Sequence, residues 1–141
     1  MTGNVVVVDT NVFVTARNPR EKGYAECRTF LDRVDRGDFT AVVSAITLAE
    51  LRAGFDPAET IIAWRSMFAH FSSSKNYRIE PVDSSIAEIA GMLRASQRLS
   101  LPDAIIAATG VSVGAGAVVT RDEELLSARL PIRVRPPGRA P

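Results

Sequence analysis

The 141-residue sequence predicts one α/β domain built on a parallel sheet that is covered on both faces. Three observations carry this. Short apolar runs of strand length alternate with stretches of helical period, the pattern of successive βαβ units. Several runs are apolar at consecutive positions, where a strand with one wet face would alternate. The length suits a single domain, and 46% hydrophobic residues is enough for a core.

In chain order, the valines Val5 to Val8 form the first strand, and a short helix can begin near Asn11. Tyr24 to Asp35 has helical period, and Thr40 to Val43 is the second strand. Ile46 to Phe55 and Glu59 to Phe71 are helices. Of the apolar residues Trp64, Met67, Phe68 and Phe71 in the latter, most read as core, with an interface as the alternative. Tyr77 to Val82 is a third strand, Ser84 to Gln97 and Pro102 to Val113 are helices, and Ala117 to Val119 and Ile132 to Val134 complete the sheet. No repeat or linker divides the chain. Residues 1–135 read as one domain, and residues 136–141, at the end of the Pro-rich RPPGRAP, as a disordered tail.

Lys and Arg total 17 against 16 Asp and Glu, so the net field is not that of a DNA-coating protein. The lone Cys27 has no disulfide partner and no ligand cluster around it, which fits a reducing interior and a small core residue. No basic leader precedes the N-terminal apolar run, which is too short for a signal segment or a membrane span. A cytoplasmic protein with no membrane partner is expected.

The chemistry lies in acids placed just after strands. In an open parallel sheet, ligands sit at the carboxyl ends of the strands. Asp9 ends the first strand, in NVVVVDTNVF, where it serves equally well as a helix N-cap. Glu50, in SAITLAEL, follows the second strand within a turn or two of helix and has no basic neighbour at i±3 or i±4. An exposed face is its alternative. Asp103, in LSLPDAIIAATG, makes a capping pattern with Ser100. Asp122, in AVVTRDEELL, follows the Val-rich fourth strand and could cap the next helix.

Each acid has a structural reading of its own, and only their joint placement argues for chemistry. Carboxylates that gather within a few ångströms repel one another and raise each other's pKa unless a cation neutralises them. Four hard oxygen donors with no accompanying His or Cys cluster favour Mg²⁺ or Mn²⁺ over Zn²⁺. Such an ion suits phosphodiester hydrolysis.

DTNVF, TLAEL, LPDAIIAAT and VVTRDEEL, in this order and at this separation, resemble the PIN-domain ribonucleases, most closely the VapC toxins of toxin-antitoxin pairs. The likeness runs from Val5 to Val134. It implies a PIN-like three-layer α/β/α sandwich with a central parallel sheet. It also implies a metal-dependent endoribonuclease that is the toxin of such a pair, forms a homodimer and is inhibited by a small VapB-like antitoxin. By the same likeness Asp9, Glu50, Asp103 and Asp122 are catalytic metal ligands for Mg²⁺ or Mn²⁺. Asn11 and Thr120 support them, with Glu123 and Glu124 competing for the place given to Asp122.

The single histidine separates two mechanisms. Metal-free cyclisation through the 2′-hydroxyl usually needs a general acid and a general base. His70 stands alone among Phe68, Ala69 and Phe71 and reads as structural, so metal-assisted hydrolysis of RNA fits better. Arg17 and Arg121 are candidate phosphate contacts, against the commoner ion pair or plain solvation. A haloacid-dehalogenase-type phosphatase would carry a second Asp where Asn11 stands. A receiver domain would need an acid pair near the first strand and a lysine near the last. A housekeeping PIN nuclease would share the same site. A non-cleaving PIN-like module that binds RNA or protein would have little use for four self-repelling acids. Few aromatics offer a stacking platform, so which RNA is cut stays unread.

Overall fold

The computed structural model describes residues 4–55 and 61–140. The elements are β1 (Val5–Val8), α1 (Thr10–Ala16), α2 (Tyr24–Asp35), β2 (Thr40–Ser44), α3 (Ala45–Ala53), α4 (Ile61–Ser73), β3 (Tyr77–Glu80), α5 (Ser84–Gln97), α6 (Leu101–Val113), β4 (Ala117–Val119), α7 (Glu123–Ser127) and β5 (Val134–Arg135). A 3₁₀ turn follows at Pro137–Arg139. Five parallel strands line up in the order β3-β2-β1-β4-β5.

The unbroken valine run now has its reason. Successive side chains of a strand point to opposite faces. Val6 and Val8 enter the core formed with Phe13, Cys27, Phe30 and Phe71 from α1, α2 and α4. Val7 joins Val42, Val118 and Ile106 of α6 on the other face. Both faces of the sheet are dry, so every position of β1 can be apolar, and the complete burial of Val6, Val7 and Val8 contributes roughly 1.5–3 kcal/mol each. The result is the expected α/β/α sandwich. Cys27 is fully buried, as a small core residue would be.

Strands β1 and β4 and helices α2 and α5 span the expected residues. β3 stops at Glu80, before Pro81, and a proline there has no N–H for a ladder bond. β5 begins two residues late, at Val134, because Ile132 is committed to packing against α6. At the contact point stands Gly110, where a Cβ would fall 2.4 Å from Ile132 Cδ1 and 3.0 Å from Val118 Cγ2. Only a residue without a side chain lets α6 approach β4 this closely.

Helix α4 meets the core along one face. Phe71 is buried and stacks among Phe13 and Tyr77. Trp64 and Met67 are half-buried, while Ile62 is 80% and Phe68 42% exposed. Of the four apolar residues singled out, Phe71 belongs to the core and Trp64 and Met67 pack against it, as expected for most of them, while Phe68 does not; Glu59 and Thr60 lie outside the described residues. In the segment expected to be a disordered tail, Pro137 is buried, Gly138 lies against Glu26, and Ala140 packs on the α1/α2 core. No helix among the described residues is long and apolar enough to cross a membrane.

The strand order positions the site. The chain moves outward from β1 through β2 to β3, then returns to the opposite side of β1 with β4 and β5. At such a reversal the connections leave the carboxyl ends in opposite directions and open a crevice between the two central strands.

Candidate active site

Asp9 and Thr120 stand side by side in that crevice. The Asp9 N–H continues the ladder to the Val119 carbonyl at 2.9 Å, which places the two strand ends at one level. Asp9 is 5% exposed and Thr120 fully buried. Thr120 Oγ1 donates to Asp9 Oδ2 at 2.8 Å, Thr10 N donates to Oδ1 at 2.8 Å, and Asn11 Nδ2 lies 3.3 Å from Oδ2. Asp9 is thus also the N-cap of α1. The cap and the site place compatible demands on one residue, since both need a carboxylate fixed at the strand-to-helix turn.

Helix α3 supplies the second acid. Ser44 caps it by accepting from Ile46 N at 3.2 Å, which sends the helix away from the end of β2. Glu50 is exposed, yet it is tied to the site: Thr10 Oγ1 donates to its Oε1 at 2.6 Å and sits 3.0 Å from the buried Thr47 hydroxyl. Ser100 caps α6 by accepting from Asp103 N at 3.3 Å, with Asp103 in the first turn. Asp122 caps α7 by accepting from Glu124 N at 2.9 Å, and its own N–H donates to Thr120 Oγ1 at 2.9 Å. One threonine hydroxyl therefore aligns two acids.

One carboxylate oxygen from each of Asp103, Asp122 and Glu124 lies within 4.8 Å of the others. Asp9 and Glu50 stand outside this triple but are felt across the site. Burial raises Asp9 above the ordinary aspartate value, opposed by the hydrogen bonds from Thr120 and Thr10 and reinforced by repulsion from Glu50 and Asp122. Burial also pushes Asp103 up, to about 7, helped by the hydrogen bond and charge of Asp122 and the more distant charge of Asp9. Two carboxyls that resist ionisation beside further acids make a donor set that a divalent cation suits, and every donor is a hard oxygen. Among the described residues no buried side-chain polar atom lacks a partner.

The six residues singled out from sequence, Asp9, Asn11, Glu50, Asp103, Thr120 and Asp122, meet at this one edge of the sheet. Glu124 joins them; Glu123 is exposed on the first turn of α7. Thr10 and Thr47 were not anticipated. Thr10 stood in plain view inside DTN, but its tie to Glu50 spans 40 positions of sequence. His70 lies elsewhere, with Nε2 3.1 Å from Asp35 Oδ1 and its ring edge-on to Tyr77.

Residues 6–129 match the PIN domain family, which covers most of the chain and all of these acids. The chain belongs to the PIN domain family. No curated protein sequence matches it. In structure, this PIN domain is similar to FitAcB from Neisseria gonorrhoeae, at 25% identity and a TM-score of 0.70, over 94% of this chain and 97% of that one. A toxin-antitoxin complex from Klebsiella pneumoniae superposes with a TM-score of 0.68 at 24% identity, over 86% of this chain and 90% of the other. VapBC2 from Rickettsia felis, bound to a DNA fragment from its promoter, gives 0.67 at 21%, over 92% and 96%. The last two likenesses speak to the PIN fold alone.

Proposed function

We propose that this PIN domain is a Mg²⁺- or Mn²⁺-dependent endoribonuclease and the toxin of a toxin-antitoxin pair. It would work in the cytoplasm as a homodimer, restrained by a small VapB-like antitoxin. The observation that carries the nuclease reading is the gathering of Asp9, Glu50, Asp103 and Asp122 at the β1/β4 crevice, with Asp103 raised to about 7 by its surroundings. These four carboxylates, with Glu124 beside Asp122 and Asp103, would hold the cation. When bound, it supplies Lewis-acid stabilisation of a phosphoryl oxygen and lowers the pKa of an attacking water.

The chain's own residues set the geometry. Thr120 and Thr10 N lock Asp9 in one rotamer, and Asn11 bridges Asp9, Thr120 and the Arg121 N–H. Thr10 holds Glu50, whose exposed side chain would otherwise sample many positions. Ser100 and Asp122 fix the first turns of α6 and α7. Donors arranged in advance cost no reorganisation when charge develops on the substrate.

The toxin reading is supported by the resemblance of DTNVF, TLAEL, LPDAIIAAT and VVTRDEEL to the VapC toxins, on a PIN fold shared with complexes described as toxin-antitoxin or VapBC. Asp9→Asn should abolish cleavage of RNA in Mg²⁺ or Mn²⁺ while circular dichroism shows the fold retained; a folded variant that cuts as fast as the parent refutes the nuclease reading. Expression of the active chain should arrest growth, and co-expression of a small protein encoded beside it should restore growth. A nuclease that cuts RNA but is harmless, with no such rescue, would be a housekeeping PIN enzyme.

A further inference from the structure

We propose that the cavity between the start of α2 and the Pro137–Arg139 turn is a subsite for the RNA backbone, with Arg121 as its phosphate-binding residue. The inference rests on the nuclease reading and adds to it the place where a flanking part of the substrate is held.

The cavity, of about 520 Å³, is lined by Lys22, Gly23, Glu26, Arg121, Glu123 and Arg139 among others, and Arg121 and Glu123 flank Asp122 of the acidic crevice. Arg121 is the residue between Thr120 and Asp122, so its backbone is fixed together with the site. Its N–H donates to Asn11 Oδ1 at 3.1 Å, and its guanidinium donates through Nη1 to Thr15 Oγ1 at 2.8 Å. Thr15 lies one turn along α1 from Asn11, about 5.4 Å, so the cation is displaced from the acids by that step.

Two features make this arrangement unlike an incidental surface arginine. First, the guanidinium rests on the backbone of Gly23, which has φ +88 and where a Cβ would come within 2.7 Å of Nε and Nη2. Any side chain at 23 would displace it. Second, among the described residues Arg121 forms no ion pair, and neither do Lys22 and Arg139. A half-buried guanidinium held by one hydroxyl retains several N–H donors with no anion to meet.

Charge distribution points to the occupant. The acidic crevice by itself repels a polyanion, so a substrate held there needs cations nearby. The cavity lining offers Lys22, Arg121 and Arg139 against Glu26 and Glu123. Beyond Glu124 the chain carries Arg129, Arg133, Arg135 and Arg139 and no acid. Arg135, at the carboxyl end of β5, accepts the Thr120 N–H at 3.0 Å, so this basic stretch reaches the same edge of the sheet as Asp9. A planar guanidinium fork suits two phosphate oxygens at once.

Binding of a fluorescent single-stranded RNA to the Asp9→Asn chain, followed by anisotropy across a salt series, tests this. Arg121→Gln should weaken binding about tenfold and make the log–log salt slope shallower by about 0.7, the loss of one phosphate contact. Gly23→Ala, which leaves every charge in place, should weaken binding by pushing the guanidinium aside. Parent affinity and parent slope in a folded Arg121→Gln overturn the subsite and favour a protein partner for the cavity. If Arg121→Gln fails to fold, the exposed pair Lys22→Gln with Arg139→Gln decides, and an unchanged slope there overturns the subsite as well. A parent chain that neither binds nor cuts RNA overturns the nuclease reading itself, which sets that failure apart from a failure of the subsite.

Discussion

Asp122→Asn should make the metal-free protein more stable at pH 8, although it removes an acid from the candidate active site. Asn keeps the cap on α7, because its carbonyl oxygen can still accept from Glu124 N. What it removes is the carboxylate that accepts from the protonated Asp103 and the charge that repels the ionised one, both of which favour the protonated form. In the parent, burial first and Asp122 second raise the Asp103 carboxyl from an ordinary 3.8 to about 7. A carboxyl with a raised folded pKa binds its proton more tightly in the folded state. Its contribution to stability is therefore full below 3.8 and is lost as pH rises through about 7. About three pKa units at about 1.4 kcal/mol each gives an upper limit of about 4 kcal/mol. Asp103 is partly exposed, and solvent screening lowers that to about 2 kcal/mol. Burial, which the substitution leaves alone, is the largest cause, so Asp122 accounts for about 1 kcal/mol, or about 3 °C in Tm for a chain of this size. Thermal unfolding in chelator from pH 4 to pH 8 reads this directly. The variant should gain on the parent as pH rises from 4 through 7 and melt higher at pH 8; Mg²⁺ at pH 8 should then raise the parent more than the variant. A variant that melts below the parent at pH 8 in chelator, or profiles that run parallel, would refute the claim that these carboxylates repel.

Two further substitutions probe the parts that hold the site in place. Thr120→Val keeps the shape but leaves Asp9 Oδ2 and the Asp122 N–H without their shared hydroxyl; urea unfolding should show a loss of about 1–3 kcal/mol, and a change below 0.5 kcal/mol would show that neither bond matters. Gly110→Ala forces a methyl against Ile132 Cδ1 and should cost about 1–3 kcal/mol by the same assay, part of which Ile132→Val should restore by withdrawing that atom. Simple additivity of the two changes would place the strain elsewhere.

Local patterns were readable where a segment's environment is uniform along its length. The valines of β1 announce a strand buried on both sides, and Ser84–Gln97 shows a regular apolar stripe, so both elements lie where expected. Helix α6 is buried from Ala104 to Gly110, which erases the stripe, and there the Ser100 cap marked its start. Helix α4 was legible in part. Phe71, Trp64 and Met67 reach the core as their apolar character suggests, while nothing within the segment marks Ile62 and Phe68 as exposed.

For the site, residue type and position after a strand were enough to single out Asp9, Glu50, Asp103 and Asp122, because the carboxyl ends of parallel strands must share one edge. The competing capping roles of Asp9, Asp103 and Asp122 were also readable, and for Asp9 and Asp122 the structure shows that the cap is present in the same residue. The distances required the tertiary structure. The 2.6 Å bond from Thr10 to Glu50, the oxygen of Glu124 joining Asp103 and Asp122, and the seating of Arg121 on Gly23 all arise between segments far apart in sequence. Composition and periodicity report on a segment's immediate surroundings, so they determined the layers, the burial of β1 and the kind of chemistry available. Repulsion, hydrogen bonding and steric contact fall off within a few ångströms, so the partners of each carboxylate, and the cation left without one, were decided only when the chain closed on itself.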